Sequence, residues 1–174
     1  MRQSSHARAS IIAVALLSAC GASGNGNTDV STPGDQTTQS LVVTRLGPAG
    51  QPLSVNSGLT TAQRTVIRDD AAWRAAWMAI WQTVSPPPDV PVVDFTREMI
   101  IVAALGERGS GGYAIEIDSA GRTATGATVV VHVTSPGPQC ISTQAITSPV
   151  DVARMPRVSG TVVFRERATV TDCR

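Results

Sequence analysis

The chain has 174 residues, with 14 arginines, no lysine, 13 acidic residues and a formal charge of +1 at pH 7. The charges are scattered rather than clustered. Because binding to a phosphate backbone needs a concentrated basic face, the composition does not indicate a nucleic-acid partner. Three cysteines and two histidines also offer few ligands for a metal ion.

The N-terminus has the pattern of a secretory signal peptide. Arg2, His6 and Arg8 precede an apolar run at residues 11–19, which ends in small residues. Nine residues make about 13 Å of helix, whereas the hydrocarbon core of a bilayer is roughly 30 Å thick, so this run is too short to span a membrane. We therefore predict a signal peptide over residues 1–19.

The residue after this run is predicted to carry a lipid anchor. Residues 17–20, Leu-Ser-Ala-Cys, resemble the lipobox of bacterial lipoproteins, in which the cysteine sulfur receives a diacylglycerol and cleavage follows before it. Acyl chains such as palmitate on Cys20 would hold the protein in the bacterial cell envelope. Gly21 instead of aspartate is compatible with the outer membrane of a Gram-negative organism. An ordinary signal peptide with an incidental cysteine is the alternative.

Residues 20–40 are too polar to bury a core, and they predict a flexible tether with a reach of about 25 Å. Residues 41–174 have the length of one domain. Without residues 1–19 the chain has 12 arginines and 13 acidic residues, a formal balance of 12 − 13 = −1.

The domain is predicted to be α+β, a mostly antiparallel β-sheet packed against one tryptophan-rich α-helix. Strand patterns occur at 41–46, 64–68, 127–134 and 160–171, and a helix at 71–82 follows Asp69 or Asp70 as its N-cap. Trp73, Trp77 and Trp81 recur every four residues, so they form one stripe that is expected to pack on the sheet. An exposed aromatic face that binds a small ligand is the alternative.

Residues 99–118 are the centre of the predicted fold. A continuous apolar run at 99–105 predicts a buried strand, and alternation from Tyr113 to Ile117 predicts a second strand. The glycine-rich residues between them match the letters of the dinucleotide fingerprint G-x-G-x-x-G/A. The fingerprint requires a following helix and here a strand follows, so we predict a hairpin loop and no cofactor.

The sequence does not indicate an enzyme or a metal site. His132 is the single histidine beyond the signal peptide, and Ser110 lacks the G-x-S-x-G context of a hydrolase because position 108 is arginine. Cys140 and Cys173 are the two cysteines left once Cys20 is modified. In an exported domain such a pair predicts a disulfide, with two buried thiols as the alternative.

Several short motifs lie between residues 73 and 156. They are Trp73 and Trp77, Asp94-Phe95, the run 99–106, Gly111-Gly112-Tyr113, residues 115–117, Thr147-Ser-Pro149 and residues 152–156. Together they resemble one known family, the C-terminal domain of PrcB and related bacterial lipoproteins. PrcB is a lipoprotein subunit of a surface protease complex. The resemblance implies a non-enzymatic accessory role, in which the domain binds and stabilises an envelope partner such as a protease.

The glycine loop is the predicted contact surface for that partner. We expect the glycines to set its geometry and Glu107, Arg108, Ser110 and Tyr113 to make the contacts, with the first three exposed. Two other functions are consistent with the sequence: a protease inhibitor that inserts residues 106–113 into a cleft, and the small-ligand domain already mentioned.

Overall fold

The computed structural model describes residues 39–47 and 53–173. The predicted signal peptide, Cys20 and the tether as far as residue 38 lie outside these ranges. The described residues form eight strands and one helix: β1 Gln39–Leu41, β2 Thr44–Arg45, β3 Gln63–Ile67, α1 Asp70–Ile80, β4 Glu98–Ala104, β5 Ala114–Thr123, β6 Gly126–Pro136, β7 Val150–Pro156 and β8 Thr161–Thr171. Gln39 and Ser40, which the sequence analysis assigned to the tether, belong to β1.

The strands form two sheets, not the single sheet that was predicted. The first has the order β1-β5-β6-β8 and the second β2-β7-β4-β3. All neighbours are antiparallel except β6 and β8, which run parallel from the pair Gly126 and Thr161 to the pair Pro136 and Thr171. The α+β class with mostly antiparallel strands is confirmed. The predicted strand at 41–46 is two strands, because the chain crosses from the first sheet to the second after Leu41.

β4 is buried on both faces because it lies in the middle layer of three. Met99 and Ile101 belong to the cluster between the two sheets, whereas Ile100 and Val102 belong to the cluster between the second sheet and α1. Every residue from Met99 to Ala104 is at most 2% exposed. A strand covered on both sides needs apolar residues at every position, which explains the continuous apolar run.

The helix begins at the predicted cap and buries Trp73 and Trp77, whereas Trp81 follows its last residue and is half-buried. The Asp69 carboxylate accepts a hydrogen bond from the Ala72 N–H at 2.8 Å. Trp73 and Trp77 are 1% and 3% exposed, so the predicted core packing is confirmed and the exposed aromatic face is wrong. Their indole N–H groups donate to the carbonyls of Pro91 and Pro88, both at 2.9 Å. These two bonds hold the segment that contains both prolines against the helix.

The last strand is only partly supported by the core. Val162 and Phe164 pack against the cluster between the sheets, but Ala168 and Val170 further along the strand are exposed. A disulfide joins Cys140 to Cys173 just beyond the end of β8, with their Cα atoms 4.9 Å apart. The pairing predicted from the sequence is therefore present. None of the described helical residues forms a helix long and apolar enough to cross a membrane.

Candidate functional site

The glycine loop connects strands of different sheets, so the predicted hairpin is wrong. It leaves β4 in the second sheet and enters β5 in the first. Gly106 and Gly112 have φ values of 72° and 87°, in the region that other residues enter only with strain. At Gly106 a Cβ would also lie 2.6 Å from the Ala62 backbone nitrogen. Glycine there permits both the turn and the close approach of the neighbouring chain.

A second loop lies along the glycine loop and holds it. Arg108 and Thr147 exchange two backbone hydrogen bonds of 2.8 and 3.0 Å, and the Gly111 N–H donates to the Thr143 carbonyl at 2.9 Å. The Thr147 hydroxyl donates to the Ser110 carbonyl at 3.0 Å. We call residues 106–113 and 140–147 together the double loop. Because these hydrogen bonds tie it to the second loop, the glycine loop does not project freely from the domain.

The four predicted contact residues differ in exposure. Glu107 is exposed, whereas Arg108, Ser110 and Tyr113 are half-buried, so the expectation that Arg108 and Ser110 are exposed was wrong. The Arg108 guanidinium donates to the Leu105 carbonyl at 3.1 Å and lies 5.6 Å from the centre of the Tyr113 ring. This cation–π contact and hydrogen bond give Arg108 a role in shaping the loop.

Two apolar side chains complete the surface of the double loop and were missed by the sequence analysis. Ile141 is fully exposed and Ile146 is 66% exposed. Both lie in the second loop, which the disulfide at Cys140 ties to the end of β8. The available signal was the pair of isoleucines in an otherwise polar stretch beside a cysteine, a pattern with no strand or helix periodicity to bury them.

One family model matches the chain, over the segment that contains most of this site. Residues 99–156 match the family described as PrcB C-terminal. This confirms the resemblance predicted from the sequence motifs. No curated protein and no solved structure matches the chain. The matched segment starts at the second residue of β4 and ends at the last residue of β7, so it includes the entire double loop.

A cleft beside the double loop has a volume of about 370 Å³. Arg64 and Arg108 lie on its wall with Glu166. Arg64 forms an ion pair with Glu166 and also donates to the Ala104 carbonyl, so it links β3 in the second sheet to β8 in the first. Arg64 and Glu166 in this cleft therefore help to join the two sheets.

The residues considered for catalysis have separate partners. Ser110, in the glycine loop, directs its hydroxyl to the neighbouring Gly111 carbonyl at 3.3 Å. His132 Nε2 lies 2.7 Å from the Thr169 hydroxyl across the parallel β6–β8 pair. Among the residues that the structure describes, no three His, Cys, Asp or Glu side chains are grouped as metal ligands.

One carboxylate of the segment at residues 99–156 is enclosed between the sheets. The Asp151 side chain is 0% exposed, accepts a hydrogen bond from the Ile117 N–H at 2.8 Å and lies 2.9 Å from Arg45 Nε. Arg45 also approaches Glu116 at 3.6 Å. Burial raises the pKa of Asp151 above its ordinary value, since it outweighs the hydrogen bond from Ile117 and the charge of Arg45, both of which lower the pKa.

The raised pKa of Asp151 predicts a pH-dependent stability. Between the ordinary aspartate pKa of about 3.9 and the higher value in the folded protein, the folded state holds a proton that the unfolded state has released. The stabilisation from Asp151 is thus complete below the ordinary pKa and is lost as pH rises through the raised one. Relative to Asp151→Asn, the wild-type free energy of unfolding should fall from pH 3 to pH 7, as measured by urea unfolding.

Asp118→Asn is the matched control for this experiment because it makes the same charge change at an exposed site in β5. Its unfolding free energy should stay parallel to that of the wild type across the same pH range. Parallel curves for Asp151→Asn and wild type would contradict the prediction.

Proposed function

We propose that the protein is a non-enzymatic, lipid-anchored protein of the bacterial cell envelope that binds and stabilises a partner protein, as an accessory subunit of a protease complex. The observation that carries this proposal is the PrcB C-terminal match at residues 99–156. The match connects the domain to a protease-associated role, while the specific partner and the effect on it are our inference.

The N-terminal sequence supports the cellular location. A basic start, a short apolar run and Leu-Ser-Ala before Cys20 are the features of a lipoprotein signal, and the polar residues that follow can act as a tether. Acylation of Cys20 would place the domain at a membrane surface, where an accessory subunit could meet a partner in the envelope.

The double loop is the surface that we assign to the partner. It carries an exposed negative side chain, Glu107, and two exposed isoleucines, Ile141 and Ile146, so it offers both charge and apolar area. Backbone hydrogen bonds between its two halves and the disulfide hold these groups in place. A surface ordered in advance loses less conformational entropy when it binds.

The double substitution Ile141→Ser, Ile146→Ser tests this surface. Burying two isoleucines would contribute roughly 1.5 to 3 kcal/mol each, so partner recovery by cross-linked pull-down from the native envelope should fall at least about tenfold. The melting temperature should change by less than about 2 to 4 °C, because exposed substitutions rarely cost more than about 0.5 kcal/mol.

Val92→Ser is the control, since Val92 is 92% exposed and lies outside the double loop. It should leave recovery unchanged. Undiminished recovery with the double variant would remove the double loop from the interface. Intact mass of the same native preparation checks the anchor, and a Cys20 without acyl mass would refute it.

The activity of the recovered protease separates the accessory role from inhibition. An accessory subunit leaves its partner active, whereas an inhibitor suppresses it. The backbone bonds of Arg108 and Gly111 to the second loop favour the accessory role, because an inhibitory loop that enters a cleft must project from its surroundings.

A further inference from the structure

A second cleft is surrounded by arginines at the end of the sheets where β3 and β7 finish. It has a volume of about 650 Å³ and is bordered by Arg68, Arg97 and Arg157. Thr96, Val158, Ser159 and Gly160 complete its lining, which contains no acidic residue. Arg97 and Arg157 are exposed and Arg68 is half-buried, so the cleft is open to a ligand from solvent.

The protein holds two of these arginines in fixed positions. One terminal nitrogen of Arg157 donates to the carbonyls of Arg68 and Phe95 at 2.9 and 2.8 Å. A terminal nitrogen of Arg68 donates to the Gly160 carbonyl at 3.0 Å. A guanidinium has five N–H donors, so both side chains keep donors that can reach a ligand.

The positive charge of the cleft is only weakly offset by the described residues. Arg68, Arg97 and Arg157 form no ion pair with any of them, in contrast to Arg45, Arg64, Arg74 and Arg154. The nearby acidic groups have other partners: Asp69 accepts from the Ala72 N–H, and Asp70 pairs with Arg74.

The Asp94 side chain also has a hydrogen-bond partner other than the cleft arginines. Its carboxylate accepts hydrogen bonds from both the hydroxyl and the backbone N–H of Thr96. These two bonds are the main reason that the pKa of Asp94 is lowered, and the charge of Arg97 contributes least to the lowering. Asp94 therefore stays ionised without forming an ion pair with Arg97.

We propose that the cleft formed by Arg68, Arg97 and Arg157 binds an acidic peptide segment, with neighbouring Asp or Glu side chains, of the partner protein. Three guanidinium groups match more than one carboxylate, and their fork geometry suits bidentate contacts. The assignment of the ligand to a protein partner rests on the proposed function. The arginine cleft would be a second contact site for the partner, selective for charge, in addition to the partly apolar double loop.

The test uses the full-length protein in detergent and a fluorescent peptide of four glutamates, with a peptide of four glutamines for comparison. The glutamate peptide should bind and the glutamine peptide should not, and binding should weaken as salt increases. Arg97→Gln should raise Kd about tenfold or more, the usual effect of losing a charge-assisted hydrogen bond. Arg97 has no side-chain hydrogen bond with the described residues, so this variant should fold.

Arg122→Gln is the matched control, because Arg122 is exposed in β5 and does not border the cleft. Its Kd should equal that of the wild type. Equal weakening by Arg122→Gln, or no binding of the glutamate peptide to the wild type, would overturn the proposal. Binding of inorganic phosphate without the peptide would also overturn it, and would identify a small-anion site instead.

Envelope pull-down separates this proposal from the proposed function. Normal recovery of a partner by a wild-type protein that does not bind the glutamate peptide would refute the cleft assignment alone. Peptide binding that depends on Arg97, with no envelope partner recovered, would refute the proposed function and support the cleft as an acidic-peptide site.

Discussion

Replacing Trp77 by alanine is expected to lower the free energy of unfolding by about 3 to 5 kcal/mol, the range measured for large aromatic residues in protein cores. Trp77 is 3% exposed and lies between the other two tryptophans, with ring centres 5.1 Å from Trp73 and 5.7 Å from Trp81. Its removal opens a cavity in the layer between α1 and the second sheet. Urea unfolding at equilibrium measures the loss.

Two tryptophan-to-phenylalanine variants separate the contribution of the indole N–H group to stability from that of the ring. Trp77→Phe removes the hydrogen bond to the Pro88 carbonyl, whereas the buried Trp81 N–H has no hydrogen-bond partner among the described residues. Trp77→Phe should therefore cost more than Trp81→Phe, by about 1 kcal/mol. Met78→Ala, on the same helix but 52% exposed, should cost far less than Trp77→Ala. Similar losses for Trp77→Ala and Met78→Ala would contradict the core role of Trp77.

Removing the disulfide with Cys140→Ser and Cys173→Ser should cost about 3.5 to 4 kcal/mol. The bond closes a loop with a sequence separation of 33 residues, and chain-entropy arguments assign this amount to the freedom regained by the unfolded chain. The corresponding fall in melting temperature is roughly 10 to 20 °C. Little apolar burial holds the C-terminal half of β8, where Arg165 to Thr171 are all exposed, so the loss should appear there first.

Hydrogen exchange locates the effect of the missing disulfide. Amides near Thr169 and Thr171 should lose protection, while those of β4, buried on both faces, should follow global unfolding. Chemical reduction of the wild type is the control and should reproduce the double variant. A stability change below about 1 kcal/mol in both would show that the pairing of β6 with β8 holds without the covalent bond.

Elements with a strong local pattern could be predicted from the sequence. The helix had a capping aspartate, good helix formers and a four-residue tryptophan repeat, and it forms at Asp70–Ile80. The run at 99–105 had the continuous apolar character of a strand covered on both faces, and β4 has that position. In both cases the decisive signal lies within about ten residues.

The strands and pairings that were not predicted from the sequence depend on residues far apart in the chain. β7 carries Asp151 and Arg154 among its apolar residues, so it shows no clean alternation, yet it lies beside β4 in the second sheet. Arg45 and the Ile117 N–H meet the Asp151 carboxylate from other strands and offset part of the cost of burying it. Nothing near residue 151 in the sequence reveals these partners. The division into two sheets and the parallel pairing of β8 were hidden for the same reason.

The candidate site shows the same limit. The positive φ angles at Gly106 and Gly112 agree with the glycine pattern, but the partial burial of Arg108 and Ser110 is caused by residues 143–147 and the Tyr113 ring. Ile141 and Ile146 become notable only when the second loop is seen beside the first. The arginine cleft likewise unites Arg68, Arg97 and Arg157 from three separate parts of the chain.

β1 and β2 can pair only after much later parts of the chain have been made. Leu41 pairs with Ala120, and Arg45 pairs with Ala153, so the first described strands have their neighbours far along the chain. A ribosome makes the chain from the N-terminus, and β2 cannot pair until residue 154 has been added. Folds dominated by such distant pairings assemble slowly, in milliseconds to seconds. Throughout that wait β1 lacks β5 and β2 lacks β7, the strands that pair with them in the folded domain, and unpaired strands are prone to pair with other chains.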